Sequence, residues 1–536
     1  GHRTSTPTDS VYSGVVSLAG IRAVTFLAEL NDLEIWGTDI GNAYLESYTK
    51  EKVAFIAGPE FGELQGHLFI IIKSLYVMKS KVARWHDRLF DALTIMGFKP
   101  SRADPDIWMR DKGDHYEYIA VYVDDLLIAS KTPQSIIAAL EAHPNLFKLK
   151  GTGPVSFHLG CDFYRDDQGT LCMGPKTYIE RLCSQYFAMF GTKPKNAYTS
   201  PLASNDHPEL DDTDLLDDEG IQKYQSLLGV LQWTISLGRF DIATAVMTMS
   251  GFRTAPRVGH LDRLKRVCGY LSKMKNGCIR VRTEEPDYSD MNTTSYDWAR
   301  TVYGKVTEEL PKDAPTPKGR SITLTSYEDA NLHHDMITGR SVTAVLHFAN
   351  QTPIDWFSKK QATVETATYG SEFVAAKMAV QQVMGLRTFF RYLGVNINGP
   401  THLFGDNESV VTSGSFPHSP LRKRHHALSY HYAREAIASG AVDFQFIPGH
   451  LNPADILSKH WGYQQVWTSA LRPILFWKGD TSPLLLDSPP VPVGENRYCE
   501  SEDERNQSTP IATIAGGEVH TKPQLPVPAI NPTQSS

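Results

Sequence analysis

Two periods organise the apolar positions of this 536-residue chain, one of strands and one of helices. Around residue 120 the apolar runs are short. Ile119-Ala120-Val121 and Leu126-Leu127-Ile128-Ala129 flank Tyr122-Val123-Asp124-Asp125, which predicts a buried β-hairpin with two adjacent carboxylates at its tip. Upstream the spacing is helical: Trp85, Leu89, Leu93 and Met96 share a face, Gly97 supplies a C-terminal cap and Pro100 prevents continuation. From Val11 to about Phe163 such helices alternate with short strands, and Tyr224 to Arg282 reads as mostly helical. A second folded unit follows from Ser321 to about Trp477. It has strands at Ile322–Tyr327, Ser341–Phe348 and Ile354–Ser358, then a long helix from Thr366 to Leu393. A strand at His402–Phe404, a helix ending near Gly440 and a strand at Val442–Ile447 complete an α/β layout.

Polar stretches punctuate these units. Residues 205–219 are crowded with aspartate and predict an exposed acidic loop, held away from any phosphate backbone by its charge. Residues 283–320, rich in Pro, Asp, Glu, Lys and Thr, predict a linker, and from Ser482 onward the composition predicts a disordered tail.

The length allows two to four domains, and 41% hydrophobic residues is a globular content. A net charge of −7 gives no overall basic field, so contact with nucleic acid must come from local patches. One such patch lies within the helical stretch. Arg253, Arg257, Arg263, Lys265, Arg266, Lys273, Lys275, Arg280 and Arg282 are opposed between the first and last of them only by Asp262, which predicts phosphate contact over a merely solvated face. Six scattered cysteines without a CxxC pair predict free thiols in a reducing compartment. The most apolar run, Leu68 to Met78, is broken by Lys73 and too short for a membrane span; there is no signal peptide, and the opening residues read as mid-domain sequence of a longer product.

The hairpin aspartates carry the chemistry. An ionised carboxylate inside an apolar run costs several kcal/mol unless a cation meets it, which points to a divalent ion; a turn whose aspartates simply face water is the commoner alternative for the hairpin alone, and the rest of the chain decides between them. Two metals held about 3.5–4 Å apart need a third acid. Asp39, where a strand runs into a helix, is the candidate, with a helix cap as its plainer alternative.

Four ordered motifs now resemble the reverse transcriptase of copia-type retrotransposons: Asp39-x-x-x-Ala43-Tyr44-Leu45, Leu75-Tyr76-x-x-Lys79 with Trp85, Asp104-Pro105-Asp106-Ile107-Trp108, and Tyr122-Val123-Asp124-Asp125. The resemblance implies that Asp39 and Asp124 hold two Mg²⁺ ions, with Asp125 as supporting acid and Mn²⁺ as a substitute. It also places Tyr44 under the sugar of the incoming nucleotide, an ordinary core tyrosine being the alternative, and Lys79 at the nucleotide. Phe157-His158-Leu159-Gly160, Tyr224–Leu228, Arg239-Phe240-Asp241-Ile242 and Pro256-x-x-x-His260 are similar to later segments of that family. They place Arg263, Lys265, Arg266 and Lys273 against template and primer.

In the C-terminal unit, Tyr327-Glu328-Asp329-Ala330, Asp355-Trp356-x-Ser358-Lys359-Lys360-Gln361, Glu372-Phe373-x-Ala375, Asp406-Asn407 and Ala454-Asp455-Ile456-Leu457-Ser458-Lys459 resemble a ribonuclease H. The resemblance implies a second two-Mg²⁺ site on Asp329, Glu372, Asp406 and Asp455. Arg422, Lys423 and Arg424 would grip the hybrid backbone, and His450 reads as a loop histidine near the site. Asn331 replaces an aspartate of the family pattern and is not counted as catalytic. His333-His334 and His425-His426 have no carboxylate or cysteine spacing that supports zinc. Val77 stands where the family has glycine and loses access to positive φ.

The implied fold is α+β and α/β: a right-hand polymerase (fingers, palm, thumb) followed by a ribonuclease H-like mixed sheet with flanking helices. Its expected divisions are fingers and palm at 1–200, helical thumb and connection at 201–282, a linker at 283–320, the ribonuclease H-like domain at 321–477 and a tail at 478–536. The implied partners are RNA template, DNA primer, RNA–DNA hybrid and deoxynucleoside triphosphates, with no membrane and a cytoplasmic location. Two rivals stand beside this: an inert remnant that only binds nucleic acid, and a chain active only as a ribonuclease H.

Overall fold

Ser17 begins the first helix by accepting a hydrogen bond from the Gly20 N–H, satisfying a donor that a helix N-terminus leaves open. In the computed structural model, which describes residues 14–75, 78, 80–289, 296–421, 427–462 and 466–477, this helix is α1 (Leu18–Leu30). After it come β1 (Glu34–Ile40), β2 (Tyr48–Ile56), β3 (Leu68–Lys73) and α2 (Lys81–Ile95). Gly97, at φ +83°, turns the chain out of α2 as the capping pattern predicts, and the Phe98 N–H returns to the Leu93 carbonyl. Next are β4 (Lys99–Pro100), β5 (Ile107–Asp111), β6 (Tyr116–Tyr122), β7 (Asp125–Ser130), α3 (Pro133–Glu141) and β8 (Leu149–Pro154).

These strands make a six-stranded sheet in the order β4-β5-β6-β7-β1-β8. Strand periodicity assigns its two faces. Ile119, Val121, Leu126 and Ile128 pack with Trp85, Leu89 and Leu93 of α2, whereas Ala120, Leu127 and Ala129 pack with α1. The hairpin β2–β3 stands apart as a two-stranded sheet with Ile56, Leu68, Ile70 and Ile72 exposed.

The chain continues through β9 (Phe157–His158), β10 (Cys161–Arg165), β11 (Leu171–Gly174), α4 (Lys176–Phe190), α5 (Asp218–Ser236), α6 (Ala243–Ser250), α7 (Val258–Lys273) and β12 (Gly277–Arg280). Helices α5 to α7 surround an ion pair with no exposure: Arg239 donates to both oxygens of Asp241, which also accepts from the Tyr270 hydroxyl. The C-terminal unit comprises β13 (Leu324–Asp335), β14 (Arg340–Ala349), β15 (Thr352–Lys360), α8 (Thr368–Tyr392), β16 (Thr401–Gly405), α9 (Glu408–Ser415), α10 (Ala427–Ala438), β17 (Val442–Phe446) and α11 (Asp455–Ser458). Its sheet runs β15-β14-β13-β16-β17, antiparallel through β13 and parallel thereafter, with α8, α9 and α10 packed on one side. The chain is thus of the expected α+β and α/β classes, an antiparallel sheet with helices on both faces followed by a mixed sheet with flanking helices.

Two of the expected divisions differ in the structure. Strand β18 (Leu475–Trp477), assigned by pattern to the C-terminal domain, pairs instead with β12 in a sheet ordered β18-β12-β11-β10-β9. Gly277 permits this, because a Cβ there would come within 2.6 Å of the Trp477 ring. The described part of 283–320 is a docked strap rather than a free linker, since its charges find partners on both sides. Glu308 receives Arg387 and Arg391 of α8, Lys318 pairs with Asp111, and the Thr316 carbonyl accepts from Tyr116. Arg22 of α1 makes a second tie, donating to the carbonyls of Ile354 and Ser236 and lying 4.1 Å from the Trp356 ring centroid. Residues 478–536, the expected tail, lie outside the described residues.

Candidate active sites

The first site is built by strand register. Asp39, near the end of β1, stands directly opposite Asp125, the first residue of β7, and the Ile40 N–H donates to the Asp124 carbonyl at 2.9 Å. Directly opposed residues of an antiparallel pair share a face, so the pairing places Asp39 beside the hairpin tip. Val123 makes that tip with φ +60°, a backbone that a β-branched residue adopts only under strain. The Trp85 indole N–H, reaching from α2, donates to the Val123 carbonyl at 2.7 Å and holds the strained turn in place. All three acids are half-buried. Burial, then the charges of Asp124 and Asp39, pushes the Asp125 carboxyl up to about 6, and burial followed by Asp39 raises Asp124. Lys150, opposite Asp39 on β8, is the nearest cation by register.

Around this site, Tyr44 lies in a 3-10 turn (Ala43–Glu46), half-buried, with the Lys81 ammonium 5.3 Å from its ring centroid. Lys79 lies outside the described residues. Asp104 and Asp106, from the same motif set, are occupied structurally. Asp104 accepts from the Ser17 N–H at the start of α1, and buried Asp106 pairs with His86 at 3.0 Å.

Register also builds the second site. In the parallel pair β13–β16, Tyr327 matches Phe404, so Asp329 and Asp406, each two residues further on, emerge at the same level. Helix α8 crosses β13 and delivers Glu372. Ligand oxygens of Asp329, Glu372 and Asp406 all lie within 4.8 Å of one another, the one such group of acids, histidines or cysteines among the described residues. Burial, then the neighbouring charges of Asp329, Glu328 and Asp406, pushes Glu372 far above the carboxylate range, and its Oε2 is buried with no hydrogen-bond partner. Burial and Asp329 hold Asp406 at about 6. Three converging carboxylates, one with an orphaned oxygen, are a hard-oxygen donor set suited to Mg²⁺ or Mn²⁺.

Asp455 does not complete that group as its motif implied. Its carboxylate binds the Lys459 ammonium at 2.6 Å; the same ammonium is 3.6 Å from Asp329, and Ser458 donates a short hydrogen bond to Asp329. Sequence reasoning quoted Lys459 without giving it a role. The signal was its i,i+4 spacing from Asp455, which brings the ammonium back to that carboxylate from the C-cap of the short helix α11. Glu328 was passed over as well; it is fully buried beside Asp329 and Asp406, which raise its carboxyl after burial itself, and no periodicity marks it. His450 is exposed in the turn Gly449–Leu451, beside Asp406. His333 and His334 are engaged by the Glu365 carbonyl, Thr248 and Asn331.

The basic patch needs correction. Arg263 pairs with Asp206 at 2.9 Å and Asp211 at 2.5 Å, so the acidic loop expected to stand free folds back onto α7. Lys265 pairs with Asp262, and Arg266 lies 4.7 Å over Tyr198 with a contact to Ser200. Lys275 and Arg280 pair with Glu180 and Asp166. Acidic partners thus meet four of the nine basic residues, Arg257 and Arg282 donate instead to the carbonyls of Thr213 and Pro473, and half-buried Lys273 lies in the last turn of α7, where its charge complements the helix dipole. Arg422, Lys423 and Arg424 lie outside the described residues.

Residues 2–201 match the family model described as "Reverse transcriptase (RNA-dependent DNA polymerase)". The chain is 25% identical over 450 residues to the retrovirus-related Pol polyprotein from transposon RE1 of Arabidopsis thaliana, covering 84% of this chain and 28% of that protein. It is also 25% identical over 463 residues to the Pol polyprotein from transposon TNT 1-94 of Nicotiana tabacum, 84% of this chain and 32% of that one. The chain therefore spans about a third or less of the curated relatives it matches. Among solved structures, a foamy viral protease–reverse transcriptase in complex with RNA/DNA hybrid aligns at 12% identity and TM-score 0.40, over 82% of this chain and 46% of that one. Residues 2–201 are thus similar to the reverse transcriptase (RNA-dependent DNA polymerase) family, within a chain similar over most of its length to retrovirus-related Pol polyproteins of plant transposons.

Proposed function

We propose that the chain is an RNA-directed DNA polymerase with a fused ribonuclease H, each activity seated on one acid cluster and loaded with Mg²⁺ or Mn²⁺. The observation that carries this is the pair of register-built acid sites, one on each sheet, each with carboxylates raised by burial and by one another. Such acids relax when a divalent ion arrives, which is the electrostatic condition of a two-metal phosphoryl-transfer site. When bound, the ions supply charge neutralisation and activation of the attacking oxygen.

The chain's own residues do the rest. Asp39, Asp124 and Asp125 hold the donor set at the hairpin tip, and Trp85 fixes the turn that presents it. Tyr44, braced by Lys81, is the surface offered to the sugar of an incoming deoxynucleotide on a primer paired to an RNA template. In the C-terminal site Asp329, Glu372 and Asp406 present oxygens to the RNA strand of a hybrid, which is read by shape and 2′-hydroxyls rather than base edges.

A second reading, a chain active only as a ribonuclease H, is favoured by the tighter convergence of the C-terminal acids. Primer extension on an RNA template and cleavage of a labelled hybrid separate the two. The proposal expects extension abolished by Asp124→Asn and hybrid cleavage abolished independently by Asp406→Asn. Cleavage without extension in the parent chain selects the second reading, and hybrid binding without either reaction overturns both.

A further inference from the structure

The motif Asp355-Trp356-x-Ser358-Lys359-Lys360-Gln361 lends no acid to the C-terminal cluster, since Asp355 lies 3.6 Å from Arg22. Its last side chain is buried all the same. Gln361 directly follows β15 and is 5% exposed. Its side-chain nitrogen donates to the Thr343 hydroxyl of β14 at 3.0 Å and to the Ser371 carbonyl of α8 at 2.9 Å, while its backbone N–H donates to the Ser341 carbonyl at 2.8 Å. A carbonyl only accepts, which fixes the amide with its NH2 toward Ser371. Ser371 immediately precedes Glu372, and Thr343 adjoins Ala344, the residue opposite Asp329 in the β13–β14 ladder. One buried side chain thus ties the helix that carries Glu372 to the sheet that carries Asp329.

That tie opposes a force. The like charges of Asp329, Glu328 and Asp406 face Glu372 and push the start of α8 away from the sheet. We infer that Gln361 is a positioning residue of the C-terminal site: its buried amide fastens the first turn of α8 to β14, fixes where Glu372 stands relative to Asp329, and so sets the affinity of the cluster for a divalent ion. The inference rests on reading that cluster as a metal site and adds a residue outside it. Both acceptors of the Gln361 amide belong to the scaffold rather than to the acids, so the tie is made before any ion arrives. Removing a group that holds a metal ligand in place weakens metal binding by about tenfold to a hundredfold.

Calorimetric titration of the full chain with Mn²⁺, its N-terminal site silenced by Asp39→Asn and Asp124→Asn, tests this. Gln361→Met keeps the length of the side chain and removes its donated bonds to Thr343 and Ser371. The inference expects the Mn²⁺ Kd of the C-terminal cluster to rise by about tenfold or more, and hybrid cleavage lost at low Mn²⁺ to return in excess Mn²⁺. Thermal melting confirms that the variant is folded. Where it is not, Thr343→Val removes the acceptor on the sheet while keeping its shape, and a rise in Kd is again expected. A parent-like Kd in the folded variant overturns the inference and leaves the metal reading standing. Mn²⁺ binding that Asp406→Asn leaves unchanged overturns the metal reading and the inference with it.

Discussion

Asp39 faces Asp125 across the β1–β7 ladder, one register step from a turn that forces Val123 to φ +60°. Like charges directly opposite one another destabilise a strand pair, and here a third acid, Asp124, adjoins them. The strain and the repulsion fall on the same few residues, where stored cost marks function rather than stability.

That repulsion gives the stability of the chain a pH signature. Asp125 and Asp406 are raised to about 6 and Asp455 to about 7. An acid raised on folding makes the folded state bind a proton that the unfolded chain has released. The stability these groups contribute is therefore fully present below their unfolded pKa near 3.8 and is lost as pH rises through about 6 to 7. A divalent ion competes with those protons. At about pH 8, Mg²⁺ at a hundredfold excess over its Kd is expected to stabilise the chain by about 2.7 kcal/mol, and at about pH 5 by much less. Calorimetric melting with and without Mg²⁺ at both pH values checks this; equal shifts at both would contradict it.

Arg22 should matter to stability out of proportion to its charge. It is 5% exposed, its pKa is lowered to about 10 chiefly by that burial, and it binds two carbonyls from distant segments. Arg22→Met keeps the volume and strands both acceptors, at about 1–3 kcal/mol each. Denaturant unfolding measures the loss, and a change below half a kilocalorie would show that the tie between α1 and β15 carries little.

Much of the fold is legible because its determinants are local. The apolar flanks of Asp124-Asp125 and the capping of α2 by Gly97 depend on residues within one or two turns of each other, and both elements lie where the pattern places them. The convergence of Asp329 with Asp406 was implied only through resemblance, since it follows from a parallel register between strands about 75 residues apart that no period encodes. The basic run misled for the same reason. A helix face with unbalanced charge looks the same in sequence whether phosphate or a distant aspartate neutralises it, and Asp206 and Asp211 lie 57 and 52 residues from Arg263. The strap fails likewise: its Pro-rich and charged composition reads as a linker until Arg387 and Arg391 arrive from α8 to meet Glu308.

Arg263 accordingly separates structure from binding. Arg263→Ala should lower the melting temperature by releasing Asp206 and Asp211, while leaving the salt dependence of hybrid binding unchanged, because a side chain already paired releases no counterions from the duplex. Binding titrations across a salt series decide it; a slope shallower by about 0.9 per lost phosphate contact would return Arg263 to the interface.

Glu308 is the strap's anchor, 11% exposed between two arginines of which Arg387 is 3% exposed. Removing one partner of a buried ion pair costs about 3–5 kcal/mol, so Glu308→Ala should destabilise the chain by that order and open the strap to limited proteolysis near residue 308. Parent-like cleavage kinetics would contradict it.

Two caged-ion sites, one per sheet, are the claim on which the rest stands, and anomalous diffraction at the manganese absorption edge from crystals soaked in Mn²⁺ tests it most directly. Peaks among Asp39, Asp124 and Asp125 and among Asp329, Glu372 and Asp406 are the predicted result; a fully soaked crystal with manganese at neither cluster would contradict it.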